Sequence, residues 1–139
     1  HLPQLRVLQG LTRIALALDE SLAELPPQRL LQDPPVRRLI LKPPVLGGVQ
    51  PALHLAEQAQ QAGMEILVTS TLESALGIQV AAQLAAALPG TDRLAQGLAT
   101  SEWFRWDLAE GPRIEQGSLR LPEASGLGIR LKSEFVDKE

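Results

Sequence analysis

The chain contains no cysteine. That excludes disulfides and thiolate metal sites, and it fits a reducing cytosol and equally many exported bacterial proteins. Only two histidines occur, His1 and His54. His54 lies between Leu53 and Leu55 in a helical pattern and reads as a surface or half-buried structural residue, so a histidine-based triad has no support. No G-x-G-x-x-G or Walker-type loop is present, which removes nucleotide cradling. No apolar run approaches the roughly 18 residues of a membrane helix. The nearest, residues 78–88, is interrupted by Gln79 and Gln83. There is no basic cluster beyond Arg37-Arg38 and the formal net charge is −3, which argues against a phosphate-rich partner. These absences lead to the expectation of a cytoplasmic protein with no nucleic-acid and no membrane partner. The chain opens on His1 without an initiator methionine and reads as a fragment of something longer.

What is present is one domain's worth of chain, 139 residues with 45% apolar side chains, enough to bury a core. Four apolar runs, Arg13 to Leu18, Arg37 to Leu41, Glu65 to Val68 and a weaker one at Leu98-Ala99, each lead into polar or glycine-containing sequence and read as strands. Between the second and third, Ala52, Leu55, Ala56, Ala59 and Ala62 follow helical spacing, with Pro51 near the start and Gly63 past the end. A second helix is expected from Ser74, its cap, through Leu76, Val80, Ala81, Leu84 and Leu88 to Pro89-Gly90. Leu2, Leu5 and Leu8 suggest a helix closed at Gly10, and Ser21 to Leu31 is helical only in part because Pro26-Pro27 interrupts it. Strand ends at Asp19, Lys42, Ser70 and Thr100 are 23, 28 and 30 residues apart, about one strand, loop and helix each. The fold class is therefore α/β with parallel strands, either an open doubly wound sheet or part of an eight-stranded barrel. The tail after Leu108 differs: Ile114, Leu119 and Leu121 with Gly117 read as short extended segments, Gly126-Leu127-Gly128-Ile129 as a turn, and 132–139 as a charged, frayed end.

In such folds the carboxyl ends of the strands form the functional face, and Asp19, Lys42 and Ser70-Thr71 all fall there. Only Lys42, Lys132 and Lys138 are lysines against ten arginines, and an amine, unlike a guanidinium, can give up its proton. A carboxylate and an ammonium at one rim suit a hard divalent cation and a developing substrate anion. Apolar flanks would make Lys42 a base or acid near neutral pH. Ordinary structural readings stand beside these. Asp19 could be a helix cap, Lys42 a snorkelling surface lysine, Thr69-Ser70-Thr71 a cap-and-turn, Gly47-Gly48 a flexible loop, and the whole a non-catalytic β/α module. Trp103, Phe104 and Trp106 are expected to pack in the core or a lid.

Taken together, Asp19-Glu20-Ser21, Leu41-Lys42-Pro43 with Gly47-Gly48, Thr69-Ser70-Thr71-Leu72-Glu73-Ser74-Ala75-Leu76-Gly77, Gly97-Leu98-Ala99-Thr100 and Gly126-Leu127-Gly128-Ile129 resemble the carboxyl-terminal half of an enolase-superfamily barrel. The muconate-lactonizing-enzyme-like branch and its o-succinylbenzoate synthase family match best, from about Arg13 to Leu131. The resemblance implies that these strands are the fifth to eighth of a (β/α)8-type barrel. Residues 1–108 would be barrel and 109–139 a tail packing on a capping domain contributed, like the first half of the barrel, by sequence outside this segment. It implies Mg2+ held by three acidic residues, Asp19 matching the third, with Lys42 matching the sixth-strand lysine. The partner is a small-molecule carboxylate substrate, whose second carboxylate would meet Gly47, Gly48 and the amides near Ser70 and Thr71. The implied reaction is a dehydration serving menaquinone or phylloquinone biosynthesis, with racemisation or epimerisation of N-acyl amino acids or dipeptides as the alternative in the same superfamily. The second-strand lysines and first two metal carboxylates are not in this segment, which implies that the segment alone is inactive.

Overall fold

The computed structural model describes residues 1–135; residues 136–139, the end of the segment expected to fray, lie outside the described residues. Three parallel strands form its centre: β1 (Ala17–Leu18), β2 (Arg38–Leu41) and β3 (Glu65–Val68), in the order β1-β2-β3. Ala17 stands opposite Arg38, and Arg38 opposite Glu65. Helix α1 (Leu2–Leu11) precedes β1, and a 3-10 turn (Glu20–Glu24) and α2 (Pro27–Gln32) follow it. Helix α3 (Val49–Gln61) joins β2 to β3, and α4 (Ala75–Ala87) leaves β3. Pro27 opens α2, where its missing N–H costs nothing, so the Pro26-Pro27 interruption is the start of a helix.

Strand alternation sorts the side chains onto two faces. Leu18, Leu39, Leu41, Ile66 and Val68 are buried against Ala52, Leu55, Ala56 and Ala59 of α3 and Ile78, Ala81, Leu84 and Ala85 of α4. The opposite face carries Ala17, Ile40 and Leu67, exposed or half-buried, with an Arg38–Glu65 ion pair of 2.6 Å at its amino end. Helices cover one side of the sheet only.

Two expected strands are shorter than their apolar runs. In the first, only Ala17 and Leu18 pair, and Ile14 is 73% exposed. The buried side chain of Gln9 takes over the ladder there: its Oε1 accepts from the amides of Leu16 (2.8 Å) and Arg37 (3.2 Å), and its Nε2 donates to the Ile14 carbonyl (3.0 Å). The fourth run pairs at Gly97, not at Leu98-Ala99, through a single parallel bridge to Thr69. Gln96 plays the matching role, its Oε1 accepting from Val68 N at 2.7 Å while its Nε2 donates to the carbonyls of Thr91 and Leu94. A glutamine thus closes the backbone account at each end of the sheet, where a longer strand would otherwise leave orphan groups. Gly97 must be glycine, since a Cβ there would lie 2.8 Å from Thr69 Cγ2.

The tail contains a hairpin, β4 (Ile114–Glu115) and β5 (Ser118–Leu119). Gln116 (φ 50°) and Gly117 (φ 77°) make the two-residue turn with both centres left-handed. Farther on, Gln83 of α4 donates to the Gly126 carbonyl (3.1 Å), and Leu131 bridges Ala109, so the tail lies along α4. The aromatic cluster is not core: Trp103 and Trp106 are 76% and 71% exposed. The 3-10 turn Thr100–Trp103 directs the chain outward, and the Arg105 guanidinium lies 5.8 Å from the Trp106 ring.

Candidate active site

Asp19 is the residue immediately after β1 and Lys42 the residue immediately after β2, so each continues the alternation of its strand onto the uncovered face. There they converge. Lys42 Nζ lies 2.9 Å from Asp19 Oδ1 and also bonds the Glu20 carboxylate. The Lys42 side chain is only 15% exposed, so this amine is held between two carboxylates and does not snorkel into solvent. Asp19 does precede the Glu20–Glu24 turn, but its carbonyl accepts the Leu22 amide (2.9 Å) and its carboxylate makes no capping bond. The side chain is left for the rim.

The protonation of Lys42 differs from the expectation of an amine active near neutral pH. The hydrogen-bonded Glu20 carboxylate and then the ion-paired Asp19 carboxylate raise its pKa above 10.5, outweighing the burial that pulls it down, while Lys42 holds the Glu20 carboxyl below 4.5. In this arrangement the group is a fixed ammonium. Its chemistry is electrostatic, the stabilisation of negative charge.

Thr69, immediately after β3, shares the face of Lys42, and its hydroxyl oxygen is buried with no hydrogen-bond partner among the described residues. Ser70 turns to the other side. Its hydroxyl bonds Thr100 Oγ1 (2.8 Å) and the Gly97 carbonyl (3.1 Å), and its amide donates to Gly97 O (2.9 Å). The Thr71 amide donates to Glu73 Oε1 at 2.8 Å, and Thr100 Oγ1 donates to the Thr71 carbonyl. The two amides expected to meet a substrate carboxylate are therefore engaged, Ser70 with the Gly97 carbonyl and Thr71 within its own loop. Gly47 (φ 89°) and Gly48 (φ 116°) adopt backbone forms that favour glycine, and Gly48 is the N-cap of α3, with no side chain capping that helix.

Three contributors escape a reading of spacing alone. Glu20 doubles the acidic contact to Lys42, Thr69 rather than Ser70 shares its face, and Asp107 accepts the Ala75 amide (2.7 Å) at the start of α4, where Ser74 makes no side-chain cap. The period of two along β3 signals Thr69. The Asp107 contact, 32 residues from its partner, has no local signal.

For a cation, the informative atom is Asp19 Oδ1. It is buried and satisfies no hydrogen-bond geometry, although the ammonium is near in distance. One such oxygen fits one ligand position of a magnesium ion. No group of three or more His, Cys, Asp or Glu side chains placed to hold a metal exists among the described residues. Nor does any helix among them have the length and apolarity to cross a membrane.

Comparison with known proteins agrees with this architecture. The family described as "Enolase C-terminal domain-like" matches residues 1–135. An o-succinylbenzoate synthase of Haemophilus influenzae is 31% identical over 128 residues, 91% of this chain and 35% of its own length. One of Yersinia enterocolitica is 36% identical over 99 residues, 66% of this chain and 30% of its own length. The chain thus spans about a third of these curated relatives. Among solved structures, muconate lactonizing enzyme from Pseudomonas putida superimposes with a TM-score of 0.84 at 23% identity, over 96% of this chain and 38% of that one. The L-Ala-D/L-Glu epimerase from Bacillus subtilis gives 0.77 at 26%, over 92% and 36%. The architecture is that of strands five to eight of the enolase-superfamily barrel.

Proposed function

From the premise that the chain belongs to the enolase C-terminal domain-like family, we propose that it is the carboxyl-terminal half of an o-succinylbenzoate synthase. The reaction is a carbon-oxygen lyase step, the syn dehydration of 2-succinyl-6-hydroxy-2,4-cyclohexadiene-1-carboxylate to o-succinylbenzoate, in the cytoplasmic synthesis of menaquinone or phylloquinone. The synthase relatives support the substrate. The observation that carries the role of this half is the 2.9 Å approach of Lys42 Nζ to Asp19 Oδ1 on the uncovered sheet face.

Asp19 is the one residue here that would hold magnesium. When bound, the ion supplies positive charge beside the substrate carboxylate as its α-carbon loses a proton. Lys42 places a permanent ammonium on the same rim, where it stabilises that developing charge. The proton is removed by a base outside this segment and returns to the departing hydroxyl, which leaves as water. Gly48 gives its own amide to the Pro43 carbonyl (2.8 Å), so the backbone donors at the start of α3 that would meet the second carboxylate are those of Val49 and Gln50. The segment alone lacks the base and two carboxylates and is inactive.

A second reading, racemisation or epimerisation of an N-acyl amino acid or dipeptide, draws on the 26% identity to the Bacillus epimerase. Replacing the matching third of the Haemophilus synthase by residues 1–135 separates the two. The fusion is expected to dehydrate the cyclohexadiene substrate without washing solvent deuterium into N-succinyl amino acids or dipeptides. Lys42→Ala should lower the turnover by about 10²- to 10³-fold, the scale of one lost electrostatic donor. Deuterium entering both configurations of an amino-acid substrate, with no dehydration, would replace the synthase by the epimerase; undiminished turnover in Lys42→Ala would remove the role given to this lysine.

A further inference from the structure

The tail and α4 bound a cavity of about 510 Å³, away from the rim, with none of Asp19, Glu20 and Lys42 in its lining. Arg113, Arg120 and Arg130 line it, with Glu110 and Glu115. Glu115 forms an ion pair with Arg120 at 3.4 Å, whereas Arg113 and Arg130 have no acidic partner among the described residues. Three guanidinium groups against two carboxylates leave the wall net positive.

The second observation is independent of the charges. Gln79 also lines this cavity, is 2% exposed, and its amide nitrogen is buried with no hydrogen-bond partner among the described residues. One turn later on the same side of α4, Gln83 donates its amide to the Gly126 carbonyl of the tail. The tail therefore satisfies one glutamine and passes the other by. A buried amide left without a partner is destabilising, and folded proteins leave few such groups without a water, ion or ligand to satisfy them.

We propose that this cavity binds a small multivalent oxyanion, a carboxylate or phosphate compound, between Arg113, Arg130 and the Gln79 amide, away from the reaction rim. Planar guanidinium forks recognise such oxygens in pairs, and Gln79 adds a neutral donor that ranks oxyanions above chloride. The site depends on the tail lying along α4, so occupancy also fastens the tail.

The test uses the fusion in which residues 1–135 replace the matching third of the Haemophilus synthase, with citrate and inorganic phosphate as probes and sodium chloride at matched ionic strength as control. Thermal unfolding and calorimetric titration are expected to show saturable stabilisation by at least one of the two oxyanions and none by chloride; the stronger probe identifies the carboxylate or phosphate class. Arg113→Gln with Arg130→Gln should weaken that binding at least tenfold, and Arg93→Gln, outside the cavity, should leave it unchanged. Gln79→Leu separates ligand binding from simple packing. It should raise the melting temperature without anion, by removing the unpartnered amide, and shrink the anion-dependent rise by at least half. Equal stabilisation by chloride, or full anion response in the double arginine variant, would overturn the proposal. So would a Gln79→Leu variant that keeps the whole response.

Discussion

A lysine whose stem lies beside a sheet loses hydration, and that loss alone lowers its affinity for a proton. At Lys42 two carboxylates reverse the sign, Glu20 first and Asp19 second, so the amine is raised above 10.5 and Glu20 is lowered below 4.5. The linkage follows from these directions. The raised Lys42 contributes stability below about pH 10.5 that is lost as pH rises through its folded value; the lowered Glu20 contributes stability above about pH 4.5 that is lost as pH falls through its own. Lys42 and Asp19 were legible in the sequence because each closes an apolar run. Glu20 as a direct partner was not, since neighbouring residues on an extended strand point to opposite faces and only the turn beginning at Glu20 brings its carboxylate back. The same scale explains Gln9 and Gln96, which look like surface residues in any composition scan yet each holds three backbone groups. Gln96→Leu is expected to cost about 1–3 kcal/mol in urea unfolding, the range for stranding buried backbone groups. A loss within ~0.5 kcal/mol would show that the sheet end does not depend on it.

Among elements, the parallel direction of the strands and α3 were readable from spacing, because a crossover helix of this length fixes the direction of the next strand, whereas the order β1-β2-β3 followed only from the family resemblance. The buried face of α4 was not. The helix is apolar on most sides, so no period singles out Ile78 and Ala82 over Leu76 and Val80; packing on β3 makes that choice. Its start was placed correctly at Ser74, but the group that caps it was not. Ser74 sits at the N-cap but contributes no side-chain bond, and the carboxylate of Asp107 arrives from the far side of the chain to accept the Ala75 amide at 2.7 Å. Asp107→Ala is expected to cost about 1 kcal/mol in thermal or denaturant unfolding, while Ser74→Ala stays within ~0.5 kcal/mol, as only the former removes a cap. The reverse ranking would return the cap to Ser74. Because Thr100 ties Ser70 and Thr71 to the segment that leads to Asp107, loss of this cap also loosens the loop after β3.

The whole molecule is a sheet covered on one face. Ile40 and Leu67 stand half-buried on the other, β1 has a free edge, and Ile14, Leu72 and Val45 are exposed hydrophobics. Unpaired edges and apolar surface of this kind favour association. Sedimentation of the isolated chain is expected to show concentration-dependent self-association; a monomer that melts cooperatively would contradict the half-barrel reading of the uncovered face. The rim itself asks for nothing from elsewhere to bring Lys42 to Asp19, so its geometry can be tested on this chain directly. Lys42 is one of three lysines, with Lys132 and Lys138, which makes its amine resolvable by nitrogen-detected NMR. Titrated across pH 8 to 12, the Lys42 amine is expected to deprotonate above the ordinary lysine value of 10.5, with its pKa falling in Asp19→Asn and again in Glu20→Gln. A Lys42 pKa at or below 10.5, unmoved by either substitution, would mean that the two side chains do not meet.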